Sequence, residues 1–163
     1  MRVLVDVNLC IDVLLDRAPF AEPAAGLWEA VERGEIQGLL PAHGVTTIHC
    51  LVAQAEGRTT AGRLVSDLLR VFGLAPVDKP VLERALAGGW KDFEDAVCAA
   101  AAEAAGCDFV VTRNTKDFKG STVPAVDALT VLALLSGNGP SKVSEPRRPR
   151  GPRRGRKKTR RGP

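Results

Sequence analysis

An α/β domain built on a mainly parallel sheet is the fold class this sequence predicts, and three observations carry it. Short apolar runs alternate with stretches of helical periodicity through residues 1–136. Acids and amides gather at the carboxyl ends of the first and fourth of those runs, the edge on which open parallel sheets carry their ligand sites. The chain has 163 residues, 45% of them hydrophobic, which suffices to bury one core without disulfides or metals holding it together.

The elements follow in order. Arg2 to Val5 is a β-branched run ending in Asp6, and Asn8 to Leu15 continues with apolar residues at helical spacing. A second helix covers Glu22 to Arg33, with Trp28 read as core, and Gly34 ends it before a strand from Ile36 to Leu40. Val45 to Ala55 and Arg58 to Val71 carry two successive helical stripes. Leu74 to Val77 reads as a strand, Lys79 to Ala87 as a helix, and Gly88-Gly89 as a break. The last strand is Val123 to Val126, with Asp127 capping a final helix through Leu135.

The stretch from Trp90 to Phe118 organises the rest. Asp92 stands where a helix begins, Glu94 and Asp95 fall in its first turn, and an alanine-rich run of high helix propensity follows to Gly106. Phe109-Val110-Val111 is a short buried strand, and Thr112 to Phe118 a polar loop at its carboxyl end. Acids in a first turn serve the helix dipole and the cap whatever the protein does, and that is the reading for Asp92. Asp95 differs, because Asp6 at another strand end lets carboxylates from distant positions converge.

Charge divides the chain. Residues 1–140 hold 12 Lys or Arg against 18 Asp or Glu, a net −6, while residues 141–163 hold 11 against the single Glu145, a net +10. Residues 137–163, rich in Gly, Pro, Arg and Lys, are expected to form a disordered basic tail, since they cannot bury enough apolar surface to fold. Its cations, among them Arg153, Arg154, Arg156, Lys157 and Lys158, suit phosphate backbones without sequence preference; a solubilising tail, or one folded back on the acidic domain, is the competing reading. Cys10, Cys50, Cys98 and Cys107 show no C-x-x-C spacing and are expected to be buried reduced thiols. Without a secretory pattern or a membrane-length apolar run, a cytoplasmic protein is expected.

Carboxylate oxygens suit hard divalent cations, and Mg²⁺ in particular binds through a few carboxylates plus waters and substrate phosphates. Asp6, Asp95 and Asp117 at one sheet edge are therefore the candidate catalytic and metal-binding acids, set to activate water for in-line attack on a phosphodiester. The quoted residues resemble the PIN-domain nucleases, which include the VapC-type toxins of toxin–antitoxin pairs. The carriers are VLVDVNLCIDVLLDR, EDAVCAAAA and VVTRNTKDF, each weak alone and specific in this order. The resemblance covers roughly residues 1–135 and implies a three-layer domain with helices flanking the sheet. It further implies a Mg²⁺- or Mn²⁺-dependent ribonuclease leaving a 5′-phosphate, with Asp6 and Asp95 as ligands and Asp117 completing the site. Asn8 would orient Asp6, with Thr112, Asn114 and Glu94 as further supporting residues. RNA, an antitoxin protein and a second copy of the chain are the partners it suggests.

The sequence departs from the family pattern in two places. The helix after the second strand offers Thr46 and Thr47, with His49 beyond, where the family usually has Glu, and Asn114 replaces the first acid of the Thr-x-Asp loop. A branch of the family with a TRN-x-x-DF loop and no Glu in that helix is similar in both respects. Glu94 can offset the missing charge, although it points about 100° away from Asp95 on a helix and is expected in solvent. His43 and His49 are open between base or substrate contact and simpler roles, His43 as a cap or exposed ring and His49 in packing. Arg113, Lys116 and Lys119, beside Lys91, are candidate phosphate contacts or ordinary surface charge. A catalytically weakened RNA-binding module is the second reading, and a nucleotide-binding domain the third, disfavoured because no Gly-rich loop follows the first strand.

Overall fold

In the computed structural model, which describes residues 1–137, five parallel strands form one sheet in the order β3-β2-β1-β4-β5. The strands are β1 (Arg2–Val5), β2 (Gln37–Pro41), β3 (Gly73–Ala75), β4 (Phe109–Val111) and β5 (Ala125–Val126). The helices are α1 (Val7–Leu14), α2 (Ala21–Glu32), α3 (Gly44–Glu56), α4 (Arg58–Val71), α5 (Lys79–Ala87), α6 (Phe93–Ala104) and α7 (Ala128–Leu135), with a 3₁₀ turn at Thr115–Phe118. The tail expected at 137–163 lies, apart from Gly137, outside the described residues.

The two-residue period of the strands builds three layers. Val3, Val5, Leu40 and Val111 face the larger core with α1, α2, α3, α4 and α7, while Leu4, Leu39, Ala75 and Val110 face a second core under α5 and α6. Every residue from Ala96 to Ala102 is buried, so α6 is apolar nearly all round, and its small side chains let it lie close between the sheet and α5. Local chemistry sets the helix ends. Asp6, Asp78, Asp92 and Asp127 each accept a first-turn N–H and start α1, α5, α6 and α7. Gly106, at φ 64°, ends α6 in a left-handed turn in which the Cys107 N–H returns to the Ala102 carbonyl.

The edge strands are shorter than the sequence predicts. β2 stops at Pro41, whose partner is Ala75, so nothing remains for Pro76 and Val77 to pair with. At the other edge, three-residue β4 pairs only Ala125 and Val126, and Pro124 enters as an acceptor without an N–H to give. Cys50 is exposed, contrary to expectation, because α3 buries the stripe Gly44, Ile48 and Val52, and residue 50 points away from it. His49 is exposed for the same reason, which removes the packing role. Trp28 is half-buried, its ring edge-on to Phe72 at 5.0 Å and its Nε1–H donating to Glu32.

Gly44 fixes where α3 begins. A Cβ there would collide with Val7 Cγ2, so the absent side chain lets the start of α3 rest on the residue after Asp6. Gly44→Ala should therefore cost about 1–3 kcal/mol in urea denaturation, as overpacking does when backbone has to shift.

Candidate functional site

The helices between β1 and β3 lie on one face and those between β3 and β4 on the other, so the chain reverses its winding between β1 and β4. Open parallel sheets have their crevice at the carboxyl edge of such a point. Val5 and Val111 are register partners, which sets Asp6 beside Thr112 immediately beyond the two central strands. The Thr112 hydroxyl donates to Asp6 Oδ2 at 2.7 Å, and the Asn8 N–H donates to Oδ1 at 3.2 Å. The Asn8 side-chain amide lies at the limit of hydrogen bonding, 3.5 Å from the same oxygen. Asp6 is only 7% exposed, yet both its oxygens are partnered.

Thr112 also links the next loop. Its Oγ accepts the Asn114 N–H at 3.1 Å, and the Asn114 carbonyl accepts the Asp117 N–H at 3.0 Å, so Asp117 is tied back to the strand end that holds Asp6. Phe118 is buried with its ring edge-on to Trp90 at 5.8 Å, which pins the 3₁₀ turn against the entry to α6. On α6, Asp92 Oδ1 accepts the Glu94 and Asp95 N–H groups at 2.8 and 3.3 Å. The cap expected of Asp92 is formed. Asp92, Asp95, Asp117 and Lys91 line one surface depression.

The carboxylates feel one another. Burial first, then Asp92, Asp6, Asp117 and Glu94, push the Asp95 carboxyl up to about 6 from 3.8. Burial first, then Asp6, Glu94, Asp95 and Asp92, likewise drives the thiol of Cys98, buried one turn further along α6, well above its usual range. The unfolded chain thus gives up the Asp95 proton near 3.8, the folded protein near about 6, and across that interval the folded state binds more protons. Stability then falls as pH rises through the interval. Metal-free protein should melt lower at about pH 7 than at about pH 5, and Asp95→Asn should flatten that slope in calorimetry with EDTA present.

Among the described residues, no three His, Cys, Asp or Glu side chains already close on a point suited to one ion. Asp6, Asp95 and Asp117 share an edge and a field without forming a ready-made three-ligand cage. Mg²⁺ needs only one or two carboxylates when waters and phosphates fill its octahedron. An oxygen-only donor set with unbalanced negative charge fits a hard divalent cation.

The remaining candidate residues divide. Glu94 is 53% exposed and faces His43, whose Nε2 lies 3.9 Å from Glu94 Oε1. Asn114, Lys116 and Lys119 are exposed on the loop. Arg113 has a partner within the domain: its Nη1 donates to both oxygens of Asp12 at 3.0 and 3.1 Å, and its guanidinium lies over the Phe20 ring at 4.8 Å. Asp12 is 1% exposed, and its only signal in the sequence is that it is an acid inside the apolar run Ile11 to Leu15. Arg153, Arg154, Arg156, Lys157 and Lys158 lie outside the described residues. No described helix is long and apolar enough to cross a membrane.

The domain is a three-layer parallel α/β fold with acids after β1, on α6 and in the loop after β4, at the edge where such sheets carry their ligand sites. The PIN domain family model matches residues 2–116, and the chain belongs to that family of nucleases. The match ends one residue before Asp117. Comparison with curated proteins gives no match. Among solved structures, VapBC2 from Rickettsia felis, bound to a DNA fragment of its promoter, is similar at a TM-score of 0.58 and 11% identity, covering 78% of this chain and 98% of that one. FitAcB from Neisseria gonorrhoeae aligns at 0.57 and 20% identity, covering 78% and 98%. VapC20 from Mycobacterium tuberculosis, a sarcin-ricin loop cleaving toxin, aligns at 0.55 and 16%, covering 66% and 86%. At these identities the structural likenesses speak to the fold.

Proposed function

We propose that this protein is a divalent-metal-dependent endoribonuclease of the PIN-domain family and the toxin of a toxin–antitoxin pair. What supports the reading is that Asp6 at the end of β1, Asp95 in the first turn of α6 and Asp117 in the loop after β4 lie near enough to one another that Asp6 and Asp117 both help to raise the Asp95 carboxyl. Asp6 and Asp95 would hold Mg²⁺ or Mn²⁺, with Asp117 completing the site. Bound there, the ion supplies an acidified water and a counter-charge for a phosphodiester. The chain's own residues do the rest. Thr112 and Asn8 hold the Asp6 carboxylate in one orientation, so that it does not rearrange when substrate arrives. The Trp90–Phe118 contact holds Asp117 against the entry to α6. Lys91, Lys116 and Lys119 lie exposed around the acids and offer contacts to the RNA backbone, with the 141–163 cations adding affinity without sequence preference.

The test is cleavage of a mixed RNA pool by the purified full-length chain in Mg²⁺, Mn²⁺ or EDTA, beside Asp95→Asn. Cleavage by wild type that needs the metal and disappears in the variant is the expected result. RNA bound but left intact under all three conditions would replace this reading with that of a binding module.

A further inference from the structure

Trp90 stands between two depressions that meet across its ring. One is the hollow lined by Asp92, Asp95, Asp117 and Lys91, in which Trp90 is the one aromatic side chain. The other, of about 150 Å³, lies beyond the indole between α5, α6 and residues 120–122. Gly88, Trp90 and Gly120 line both, so a strand laid over the acids reaches the second hollow by passing along one indole.

The local sequence holds the ring there and leaves it uncovered. Trp90 follows α5 outside regular structure, two residues before the Asp92 cap, and is half-buried. A Cβ at Gly88 would lie 2.7 Å from its Cδ1 and 2.8 Å from its Nε1, so the indole rests on bare backbone that a side chain would push away. At Gly120 a Cβ would stand 3.6 Å from Cζ2, and Gly89, at φ 62°, turns the chain in a conformation that side chains rarely adopt. Buried Phe118, edge-on at 5.8 Å, fixes the ring from the protein side. The other tryptophan, Trp28, is committed to Phe72 and Glu32. An indole held in one orientation beside solvent offers a large flat surface at little cost in side-chain entropy.

The hollow beyond Trp90 suits one flat ring. It is smaller than the roughly 300–1,000 Å³ of a cleft that encloses a free small molecule, and so fits part of a chain anchored elsewhere. Ala99 and Ala100, each 6% exposed, give it an apolar floor. At its rim Arg84 and Glu103 face each other at 3.1 Å and offset each other's charge, so the rim presents no spare cation to a phosphate. The Ser121 hydroxyl accepts the Val123 N–H at 3.2 Å and keeps its own proton to give. Aromatic wall, apolar floor and hydroxyl donor are what an unstacked base meets when single-stranded RNA is recognised.

We propose that Trp90 is the stacking platform for an RNA base adjoining the phosphodiester at the acid edge, and that the hollow beyond it receives that base. The proposal rests on the ribonuclease reading above and adds a base contact to it. The acids and lysines hold the backbone, while the indole holds the neighbouring base and so places the bond to be cut.

Trp28→Phe makes Trp90 the sole source of indole emission, since the chain has 2 tryptophans. Titrating that full-length chain with a short single-stranded RNA in EDTA, where the strand is bound and not cut, should quench the emission to saturation. The same strand made of abasic riboses should bind without quenching. In the wild-type background, Trp90→Ala should weaken RNA binding about tenfold, within the range that stacking of one base supplies, at an unchanged salt slope and with no loss for the abasic strand. Ala100→Leu, which leaves the indole in place and fills the hollow from its floor, should do the same, and Trp90→Phe should stay within about threefold of wild type. Melting in EDTA establishes that each variant is folded. Equal quenching by the abasic strand, or RNA affinity unchanged in folded Trp90→Ala and Ala100→Leu, would overturn the proposal. Metal-dependent RNA cleavage with Trp90 emission unmoved by bound RNA refutes this inference alone. No RNA binding by wild type refutes the ribonuclease reading with it.

Discussion

Asp6→Asn should abolish metal-dependent RNA cleavage while leaving the protein folded. Asp6 does two jobs with one carboxylate. It caps α1 through the Asn8 N–H and fixes the strand ends through Thr112, and it supplies charge at the acid edge. Asparagine is as good a helix cap as aspartate: its oxygen continues to accept the Asn8 N–H, its amide N–H donates to the Thr112 hydroxyl where Oδ2 had accepted from it, and the melting temperature moves little. The negative charge is gone. A ligand charge at a catalytic ion is worth several kcal/mol in the transition state, so initial rates in Mn²⁺ should fall at least ~100-fold. Asp6→Ala should behave differently, losing the cap and the partner of a fully buried threonine hydroxyl, at about 1–3 kcal/mol of stability. Measuring rate and melting for both variants separates the two jobs. Comparable rates in wild type and Asp6→Asn would remove Asp6 from the site.

The parts of this protein that were legible in its sequence are those set by near neighbours. Asp92 at the head of an alanine-rich run and Gly106 at its end define α6 without help from the rest of the chain. The alternation of short apolar runs with helical stripes gives the parallel sheet. The edges of that sheet were not legible, because the length of β3 depends on where Pro41 ends β2, and that of β5 on the three residues of β4. Distance in sequence hides most of the site's geometry. Thr112 and Asp6 are 106 residues apart and meet only because β4 pairs with β1. The start of α3 depends on the close approach of Gly44 to Val7, a packing fact that periodicity does not encode.

Arg113 shows the same limit with a larger energetic consequence. Within the polar loop it reads as a phosphate contact, yet its partner is Asp12, 101 residues earlier and 1% exposed. Arg113→Met leaves that carboxylate buried without a counter-charge, a change that costs about 3–5 kcal/mol in enclosed pairs. The Arg113 side chain keeps 30% exposure, so solvent screens part of the interaction and the lower end, about 3 kcal/mol, is the expected loss. It remains a large share of a total near 5–15 kcal/mol. Replacing both partners, Asp12→Leu with Arg113→Met, should recover most of it, because no charge is then left to desolvate. Urea denaturation of the four proteins closes the cycle. RNA binding gives an independent check: a phosphate contact would lower the salt dependence of affinity when removed, whereas an anchor between α1 and the Thr112–Phe118 loop leaves that slope unchanged wherever the variant is folded. An intact melting curve with a reduced salt slope in Arg113→Met would return this arginine to the RNA surface. The expected result, lost stability with an unchanged slope, makes the ion pair the reason the loop carrying Asn114 and Asp117 stays where Asp6 needs it.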